Sequence, residues 1–179
     1  MLYAFYPELT STNDEAKRLY QSGVGLPVCL VSECQVKGRG SHGRSWYSDG
    51  PEGLYYSLLL RPTFFSHGRT AQYVYRSAFL VGQVIYQLTG LSVTIKRPND
   101  LLVSGKKVCG ILLETGIGSG SERPDYVIIG VGLNLNQSFF PDDISQLATS
   151  LRLVSGQQYS KDLFISALTR ELGYVFERD

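Results

Sequence analysis

The sequence predicts an α+β domain in which a single mixed β-sheet is flanked by helices. Three stretches show the apolar spacing of helices, and short apolar runs typical of buried strands lie between them. Four of those runs follow one another between Val93 and Asn134, which indicates neighbouring strands joined by short turns. No internal repeat occurs, and 179 residues with 43% apolar content are enough for one domain with a sizeable core.

The helices are predicted where helical spacing lies between start and stop signals. Thr12 and Glu15 have the spacing of a capping box, and Gly23 supplies the stop for the helix that follows. Gly90 closes the second helix in the same way. The predicted helices span Thr12–Gln21, Arg69–Leu88 and Lys161–Glu177.

The strands are predicted from short apolar runs bounded by turn residues. Met1–Pro7 leads directly into the first strand, and Ser104-Gly105 has the composition of a hairpin turn. Gly116–Asp125 is glycine-rich and polar, which is typical of a flexible hairpin tip. The other predicted strands span Val28–Cys34, Leu54–Leu60, Val93–Lys96, Leu101–Val103, Val108–Thr115 and Tyr126–Asn134.

Composition and charge exclude several classes of protein. The formal net charge of +1 gives no overall attraction for nucleic acid or anionic lipid, so any anion site must be built locally. Two histidines and no CxxC pair argue against a structural zinc site, and Cys29 and Cys109 lie in apolar runs as free buried thiols. With neither a signal peptide nor an apolar stretch of membrane-spanning length, the sequence predicts a soluble, reduced, cytoplasmic protein.

A glycine-rich basic loop follows the second strand. Its GRGSHG run, residues 38–43, matches the dinucleotide-binding fingerprint formally, but that fingerprint needs a helix to begin inside it. The chain continues SWYSDGPEG, which does not form an ordinary helix. The loop is therefore either a binding loop for a phosphate or carboxylate, with Lys37, Arg39 and Arg44 as donors, or a surface turn with solvated charges.

Three further segments place polar residues beside strands, and each has a structural alternative. Lys96–Asp100 presents a lysine, an amide and a carboxylate, a set that suits an ATP–metal site or an ordinary Asn-Asp turn. Gly105–Glu114 has a lysine near its start that enters an apolar strand and could point into a pocket or into solvent. Gly130–Asn136 has glycines inside a strand, which mark either a bulge or the floor of a ligand site.

Together these segments carry a stronger signal than any one of them. The chain reads, in order, STN at 11–13, GRGxxGR at 38–44, KxPND at 96–100, GKKxxGILLE at 105–114 and GVGLNLN at 130–136. From about Ser11 to its end the sequence resembles the catalytic domain of the biotin–protein ligases, with the α+β fold that this family shares with lipoate ligases. The resemblance implies a reaction of biotin with MgATP to give biotinyl-5'-AMP and pyrophosphate. Biotin is then transferred to a lysine of the biotin carboxyl carrier protein of acetyl-CoA carboxylase.

The resemblance also implies which residues do this work. Biotin's own carboxylate is the nucleophile and the carrier lysine attacks the adenylate, so the enzyme acts by positioning and by stabilising phosphate charge. Magnesium is expected to arrive with ATP, and no protein metal ligands are predicted. The implied catalytic residues are Arg39, Lys107, Lys96 and Asp100, with Asp100 orienting the incoming amine. The implied biotin-binding residues are Ser11, Thr12, Asn13, Gln35, Gly38, Arg39, Gly40, Ser41, Lys107 and Gly110. The implied ATP-binding residues are Arg39, Arg44, Lys96, Asn99 and Asn134.

Two positions depart from the family pattern. Ser41 stands where the family loop usually has an arginine that helps to hold the adenylate, which predicts a leakier intermediate unless His42 or another cation substitutes. Arg97 stands where KWPND has its tryptophan, so the aromatic wall is either lost or replaced by the planar guanidinium, and Trp46 is the single indole of the chain. Trp46 could serve either as core packing or as a pocket wall.

The resemblance leaves partners and rival functions to be tested. Because the first strand begins at once, we expect no DNA-binding helix-turn-helix domain before the catalytic domain of residues 1–179, and we do not expect the β-barrel that often follows in the family. Many relatives dimerise through a sheet edge, so a homodimer is one arrangement to test. The rivals are a lipoate–protein ligase, a non-catalytic biotin-binding relative and, disfavoured by the charge, a nucleic-acid-binding module.

Overall fold

The computed structural model describes residues 1–116 and 124–176, which form one mixed sheet with helices on both faces. The seven strands lie in the order β1-β2-β3-β7-β6-β5-β4; β1 and β2 are parallel and the remaining neighbours are antiparallel. The strands are β1 Leu2–Leu9, β2 Val28–Gln35, β3 Leu54–Leu60, β4 Thr94–Lys96, β5 Asp100–Val103, β6 Lys106–Gly116 and β7 Tyr126–Leu133. The helices are α1 Thr12–Gln21, α2 Thr70–Thr89, α3 Asp142–Ser145, α4 Leu151–Ser155 and α5 Lys161–Gly173.

The two faces of the sheet bury unequal amounts of apolar surface. Helices α2 and α5 cover one face, where the larger core includes Tyr56, Val131 and Phe164. Helix α1 covers only part of the other face, over a small cluster that includes Leu59 and Ile128. Because side chains alternate between faces along a strand, residues 130 and 132 of β7 face the same side as Ile128. That side is where α1 leaves the sheet uncovered and where the candidate site lies.

The start of α1 corrects one sequence prediction. The helix spans Thr12–Gln21 as expected, but Thr12 and Glu15 do not form a capping box, because the N-cap is Ser11 and its side chain makes no capping bond. The hydroxyl of Thr12 donates instead to Oε1 of Gln35 (3.2 Å). Glu15 accepts from Tyr6 and Arg18. Tertiary partners therefore take the groups that a local cap would have used.

The last helix is shorter than predicted. It ends at Gly173, and Val175 and Phe176 beyond it are buried in a turn, where the Phe176 carbonyl accepts from the Thr63 hydroxyl (2.6 Å). Their spacing resembled a continuing helix because Val175 and Phe176 pack into the same core. The predicted end of that helix at Glu177 lies outside the described residues. The short helices α3 and α4 were not predicted.

Other local predictions hold. Ser104 and Gly105 both have positive φ, 51° and 79°, as a tight hairpin turn requires. Most of the predicted hairpin tip lies outside the described residues. Cys29 and Cys109 are buried free thiols, and burial raises the pKa of Cys29 to about 11. Among the described helices, none is long and apolar enough to cross a membrane.

Candidate active site

The site is a narrow pocket on a patch of sheet that has no side chains. Gly110 of β6 pairs with Gly132 of β7, and Gly130 lies two residues further along, so we call Gly110, Gly130 and Gly132 the glycine floor. A β-carbon at Gly132 would lie 2.5 Å from Cε2 of Trp46, and one at Gly130 would overlap Oδ1 of Asn13. These glycines are therefore required by close approach of other groups to the sheet. The pocket volume is about 90 Å³, because Trp46 lies across the floor.

Most of the predicted binding residues line this pocket. Those that line it are Ser11, Thr12, Asn13, Gln35, Arg39, Gly40, Ser41, Arg44, Asn99, Lys107 and Gly110. Four predicted residues, Gly38, Lys96, Asp100 and Asn134, do not form part of the lining. Gly38 packs instead against the returning loop, where a β-carbon would overlap Ser48.

One end of the pocket, which we call the amide end, is lined by uncharged polar groups. Gln35 Oε1 accepts from the Thr12 backbone N–H (2.8 Å) and from the Thr12 hydroxyl. The buried Ser57 hydroxyl lies 2.7 Å from Thr12 Oγ1 and 2.6 Å from Asn13 Oδ1. The amide end can therefore offer both donors and acceptors to an uncharged polar ligand group. Ser57 was missed at the sequence level, although it is the one polar side chain besides the tyrosines in the strand LYYSLLL.

A charged cluster closes the amide end. Glu114 accepts from Asn13 Nδ2 (2.7 Å) and Lys17 Nζ (2.8 Å), and it pairs with Arg39 (3.0 Å). Arg39 also pairs with Asp14 at 2.6 Å. Burial alone would raise the pKa of Glu114, but the hydrogen bonds from Lys17 and Asn13 lower it below its usual value. Glu114 closes the GILLE motif, yet nothing in the sequence indicated that it would meet α1 and the glycine loop.

The other end of the pocket, which we call the lysine end, contains Lys107. Its ammonium lies 2.7 Å from Oδ1 of Asp100 and 5.2 Å from the centre of a Trp46 ring. The two open alternatives for Trp46 are thereby resolved, because its indole forms a wall of the pocket. Nε1 of Trp46 is buried and has no hydrogen-bond partner among the described residues.

The backbone of Lys107 is fixed by a segment that follows β7. Its N–H donates to the Leu147 carbonyl (2.8 Å), and its carbonyl accepts from the Thr149 N–H (3.0 Å). Nδ2 of the buried Asn134 donates to the Thr149 carbonyl (3.0 Å) and, at 3.4 Å, to that of Lys107. Asn134, predicted to contact the nucleotide, thus holds the backbone of Lys107 in place.

Asn99 and Ser41 connect the KxPND turn to the glycine loop. Asn99 Nδ2 donates to the Ile111 carbonyl (3.0 Å) and, at 3.3 Å, to Oγ of Ser41. Nη2 of Arg44 donates to the same Ser41 oxygen at 3.0 Å. The loop contains only a three-residue 3₁₀ turn, Ser41–Gly43, which agrees with the exclusion of a dinucleotide-binding helix.

Lys96 and Arg97 of the KxPND motif do not line the pocket. Lys96 is exposed and pairs in strand register with Asp100. The guanidinium of Arg97 lies 4.7 Å from the centre of the Tyr75 ring of α2. Arg97 therefore stacks on a helix and does not replace the family tryptophan as a pocket wall.

The structure does not bring Arg39 and Lys107 together. Lys107 Nζ reaches toward Gly110, 3.5 Å from where a β-carbon would stand, whereas Arg39 pairs with Glu114 four residues further along β6. Four residues of a strand span about 13 Å. Both line the pocket, but in this arrangement they lie at opposite ends of it.

Fold and site together define a class: a mixed-sheet domain with a pocket that runs from a polar end to a lysine end over a glycine floor. The family model described as the biotin/lipoate A/B protein ligase family matches residues 6–134, which is more than half of the chain. The chain therefore belongs to that family, and the predicted α+β fold and family resemblance are confirmed.

Individual relatives agree with this assignment. The bifunctional ligase/repressor BirA of Bacillus subtilis (strain 168) is 35% identical over 159 residues, which cover 88% of this chain and 48% of that protein. A biotin–[acetyl-CoA-carboxylase] ligase of Paracoccus denitrificans is 38% identical over 133 residues, 70% of this chain and 51% of that protein. The chain thus spans about half the length of the curated relatives it matches. A solved structure of the biotin protein ligase from Aquifex aeolicus with biotin and ATP matches with a TM-score of 0.81 at 29% identity, covering 99% of this chain and 73% of that chain.

Proposed function

We propose that this chain is the catalytic domain of an ATP-dependent biotin–protein ligase. It would join biotin and MgATP to give biotinyl-5'-AMP and pyrophosphate, and then pass biotin to a lysine of the biotin carboxyl carrier protein of acetyl-CoA carboxylase. The observation that carries the proposal is the pocket itself, in which the glycine floor joins an uncharged polar end to Lys107. A ligand with a cyclic urea at one end and a carboxylate at the other matches that distribution of groups.

In the first step a carboxylate oxygen of biotin attacks the α-phosphorus of ATP, and the bond from that phosphorus to the oxygen of the leaving pyrophosphate breaks. Lys107 would neutralise charge on the carboxylate and α-phosphate. Its ammonium lies at the lysine end, where it can exchange its ion pair with Asp100 for one with the substrate. Arg39 and the exposed Lys96 are proposed to bind phosphate oxygens, with Arg44 and Asn99 beside them. Arg39 must leave Asp14 and Glu114 to do so. Magnesium enters as part of the nucleotide substrate.

In the second step the amine of the carrier lysine attacks the mixed-anhydride carbonyl, and AMP leaves. An amine must lose a proton to become the amide, and we assign orientation of the amine and receipt of that proton to Asp100. Its carboxylate is mostly buried, 15% exposed, and it pairs with Lys107 beside the pocket. A carboxylate so placed lies near the bond that must form.

An Asp100→Asn variant is expected to slow biotin transfer from preformed biotinyl-5'-AMP to the carrier by about a hundredfold, the usual scale of general-base assistance. The asparagine keeps the size of the side chain but cannot accept the proton. Transfer is measured by single-turnover mixing of enzyme-bound adenylate with carrier, monitored by mass spectrometry. An unchanged transfer rate would remove this role from Asp100.

A Ser41→Arg variant is expected to slow the loss of biotinyl-5'-AMP from the protein by roughly ten- to a hundredfold, the worth of a charge-assisted hydrogen bond. In the structure Ser41 only accepts from Arg44 and Asn99, so this position contributes no positive charge to the pocket. The measurement is the rate at which radiolabelled adenylate leaves the protein in a chase experiment. If the variant releases adenylate at the unmodified rate, Ser41 is not the cause of leakage.

The proposed activity is tested by incubating the chain with biotin, MgATP and a biotin carboxyl carrier domain. Pyrophosphate release and the mass of the carrier are followed together. Pyrophosphate with a biotin-sized mass gain on one carrier lysine supports the proposal, and lipoate in place of biotin tests the lipoate ligase alternative. Tight biotin binding without pyrophosphate would favour a non-catalytic biotin-binding relative.

The proposal extends to partners and location. A cytoplasmic site of action is proposed, with small molecules and the carrier protein as partners and neither nucleic acid nor membrane required. A homodimer through a sheet edge is proposed as the assembly, and light scattering at several protein concentrations tests it. A mass that stays at one chain would rule the homodimer out.

A further inference from the structure

Glu114 is the point at which three separate segments meet. Its carboxylate accepts from Asn13 Nδ2 at 2.7 Å, from Lys17 Nζ at 2.8 Å and from Arg39 at 3.0 and 3.3 Å. Asn13 lies at the start of α1, Lys17 one turn later and Arg39 in the glycine loop. The Glu114 side chain is 19% exposed, so these bonds are partly shielded from water and carry more weight than surface ion pairs.

The first consequence concerns the orientation of Asn13. An ionised carboxylate can only accept hydrogen bonds, so it fixes the amide nitrogen of Asn13 toward Glu114. The amide oxygen must then point the other way, where it lies 2.6 Å from the Ser57 hydroxyl and above Gly130 of the glycine floor. Glu114 thereby makes the Asn13 side chain an acceptor at the amide end of the pocket.

The second consequence concerns the glycine loop. Arg39 bridges Glu114 on β6 and Asp14 on α1, so its two ion pairs tie the loop across the amide end. Asp14 contacts Arg39 and Lys17 but not Asn13 in the described structure. A substitution at Glu114 therefore affects both the loop and the Asn13 side chain. A substitution at Asp14 affects the ion pairs with Arg39 and Lys17 and leaves the Asn13–Glu114 bond in place.

We propose that Glu114 is a positioning residue that turns Asn13 into a hydrogen-bond acceptor and, until Arg39 turns to the nucleotide, ties the glycine loop over the amide end, so that a ligand bearing ring N–H donors is bound. The identity of that ligand as biotin rests on the proposed function. Glu114 does not touch the reacting carboxylate or phosphate, because Lys107 stands at the opposite end of the pocket. Its effect should fall on the binding of the ring and not on the chemical step.

The first test needs no ligand and uses trypsin. The loop offers cleavage sites at Lys37, Arg39 and Arg44. Glu114→Gln keeps the side-chain length but removes the charge that pairs with Arg39 and Lys17. Loss of such a charged bond should increase the open population of the loop, and with it the cleavage rate, roughly tenfold. The matched control is Glu171→Gln, which removes the exposed ion pair with Arg170 on α5 and should leave loop cleavage unchanged.

The second test divides substrate binding from chemistry in the pyrophosphate assay. With Glu114→Gln, the KM for biotin should rise roughly ten- to a hundredfold, because the neutral amide lets Asn13 turn over. The kcat at saturating biotin should stay within about twofold, as expected when binding that is equal in ground and transition state is removed. The KM for ATP should stay unchanged or fall, because Arg39 no longer has to leave Glu114 to reach the phosphates. Asp14→Asn, which leaves the Asn13–Glu114 bond intact, should speed loop cleavage but raise the KM for biotin less than Glu114→Gln.

The outcomes separate this inference from the proposed function. If the unmodified chain releases no pyrophosphate, the proposed function fails, while loop cleavage still tests Glu114. If the unmodified chain is active but Glu114→Gln changes neither loop cleavage nor the KM for biotin, the inference is overturned. A fall in kcat with an unchanged KM for biotin would also overturn it, because Glu114 would then act on the chemical step. Should Glu114→Gln fail to fold, faster loop cleavage with the exposed Asp14→Asn supports the ion-pair tie and unchanged cleavage overturns it.

Discussion

Replacement of Lys107 by methionine is expected to slow pyrophosphate release from biotin and MgATP by about a hundred- to a thousandfold, the scale reported for loss of one preorganised charge-stabilising donor. Methionine keeps the length and apolar contacts of the side chain beside Trp46 and Gly110. It removes the ammonium that would stabilise charge where the carboxylate meets the α-phosphate. The measurement is the initial rate of pyrophosphate release at saturating biotin and ATP.

The neighbouring lysine provides a matched control. Lys106 points to the other side of β6, where its Nζ donates to the Ser145 carbonyl at 2.9 Å. Lys106→Met removes an equal charge from the same strand end and should leave the rate within about threefold, because the Lys106 ammonium bonds to Ser145 and does not line the pocket. Equal losses of rate in the two variants would show that the total positive charge at this strand end, and not the position of Lys107, supports the reaction.

Substitution of Gly130 by alanine is expected to lower the free energy of unfolding and to weaken biotin binding at the same time. The new β-carbon would overlap Oδ1 of Asn13, and β7 cannot move aside because it pairs with Ser57 of β3 and Leu112 of β6. Overpacking costs about 1–3 kcal/mol, and a displaced, unpaired Asn13 amide costs about 1–3 kcal/mol more. At about 2–4 °C per kcal/mol for a chain of this size, the melting temperature should fall by roughly 4–24 °C.

The control for Gly130→Ala is the same substitution in open space. Gly173 ends α5, and a β-carbon there would meet no atom within 4 Å. Gly173→Ala should leave the melting temperature unchanged or raise it slightly, because alanine loses less conformational freedom in a helix than glycine. Calorimetry of both variants and biotin titration by fluorescence of the single tryptophan, Trp46, measure the two effects. A Gly130→Ala protein that melts and binds like the unmodified chain would contradict the close approach of Asn13 to the floor.

The sequence was sufficient for most of the elements because their signals are local. The bounds of β3 were predicted to the residue, and Gly90 does close α2 in a left-handed conformation. The predictions failed where a local pattern met a distant partner. Thr12 bonds to Gln35 and not to its own helix, and Phe176 belongs to the core although it follows the helix end.

The same distinction applies to the candidate site. Five short motifs predicted most of the lining, because each motif has a recognisable order of glycine, lysine and amide residues. No motif could show that Arg39 would pair with Asp14 and Glu114, since these residues come from three separate elements. Nor could it show that Arg97 would stack on Tyr75, which depends on how α2 packs beside the turn. Contacts between elements require the fold, whereas the motifs record only neighbours along the chain.

The two main-chain hydrogen bonds that fix the backbone of Lys107 have a consequence for protein engineering. Leu147 and Thr149 hold the lysine through main-chain atoms alone, and they lie beyond residue 134, where the family match ends. Main-chain bonds are indifferent to side-chain identity, so this stretch should accept many point substitutions. An inserted or deleted residue between Asn136 and Leu147 would instead shift these hydrogen bonds and misdirect the lysine. Any chimera or minimal fragment built from this domain must therefore keep the spacing of a stretch that contributes no side chain to the pocket.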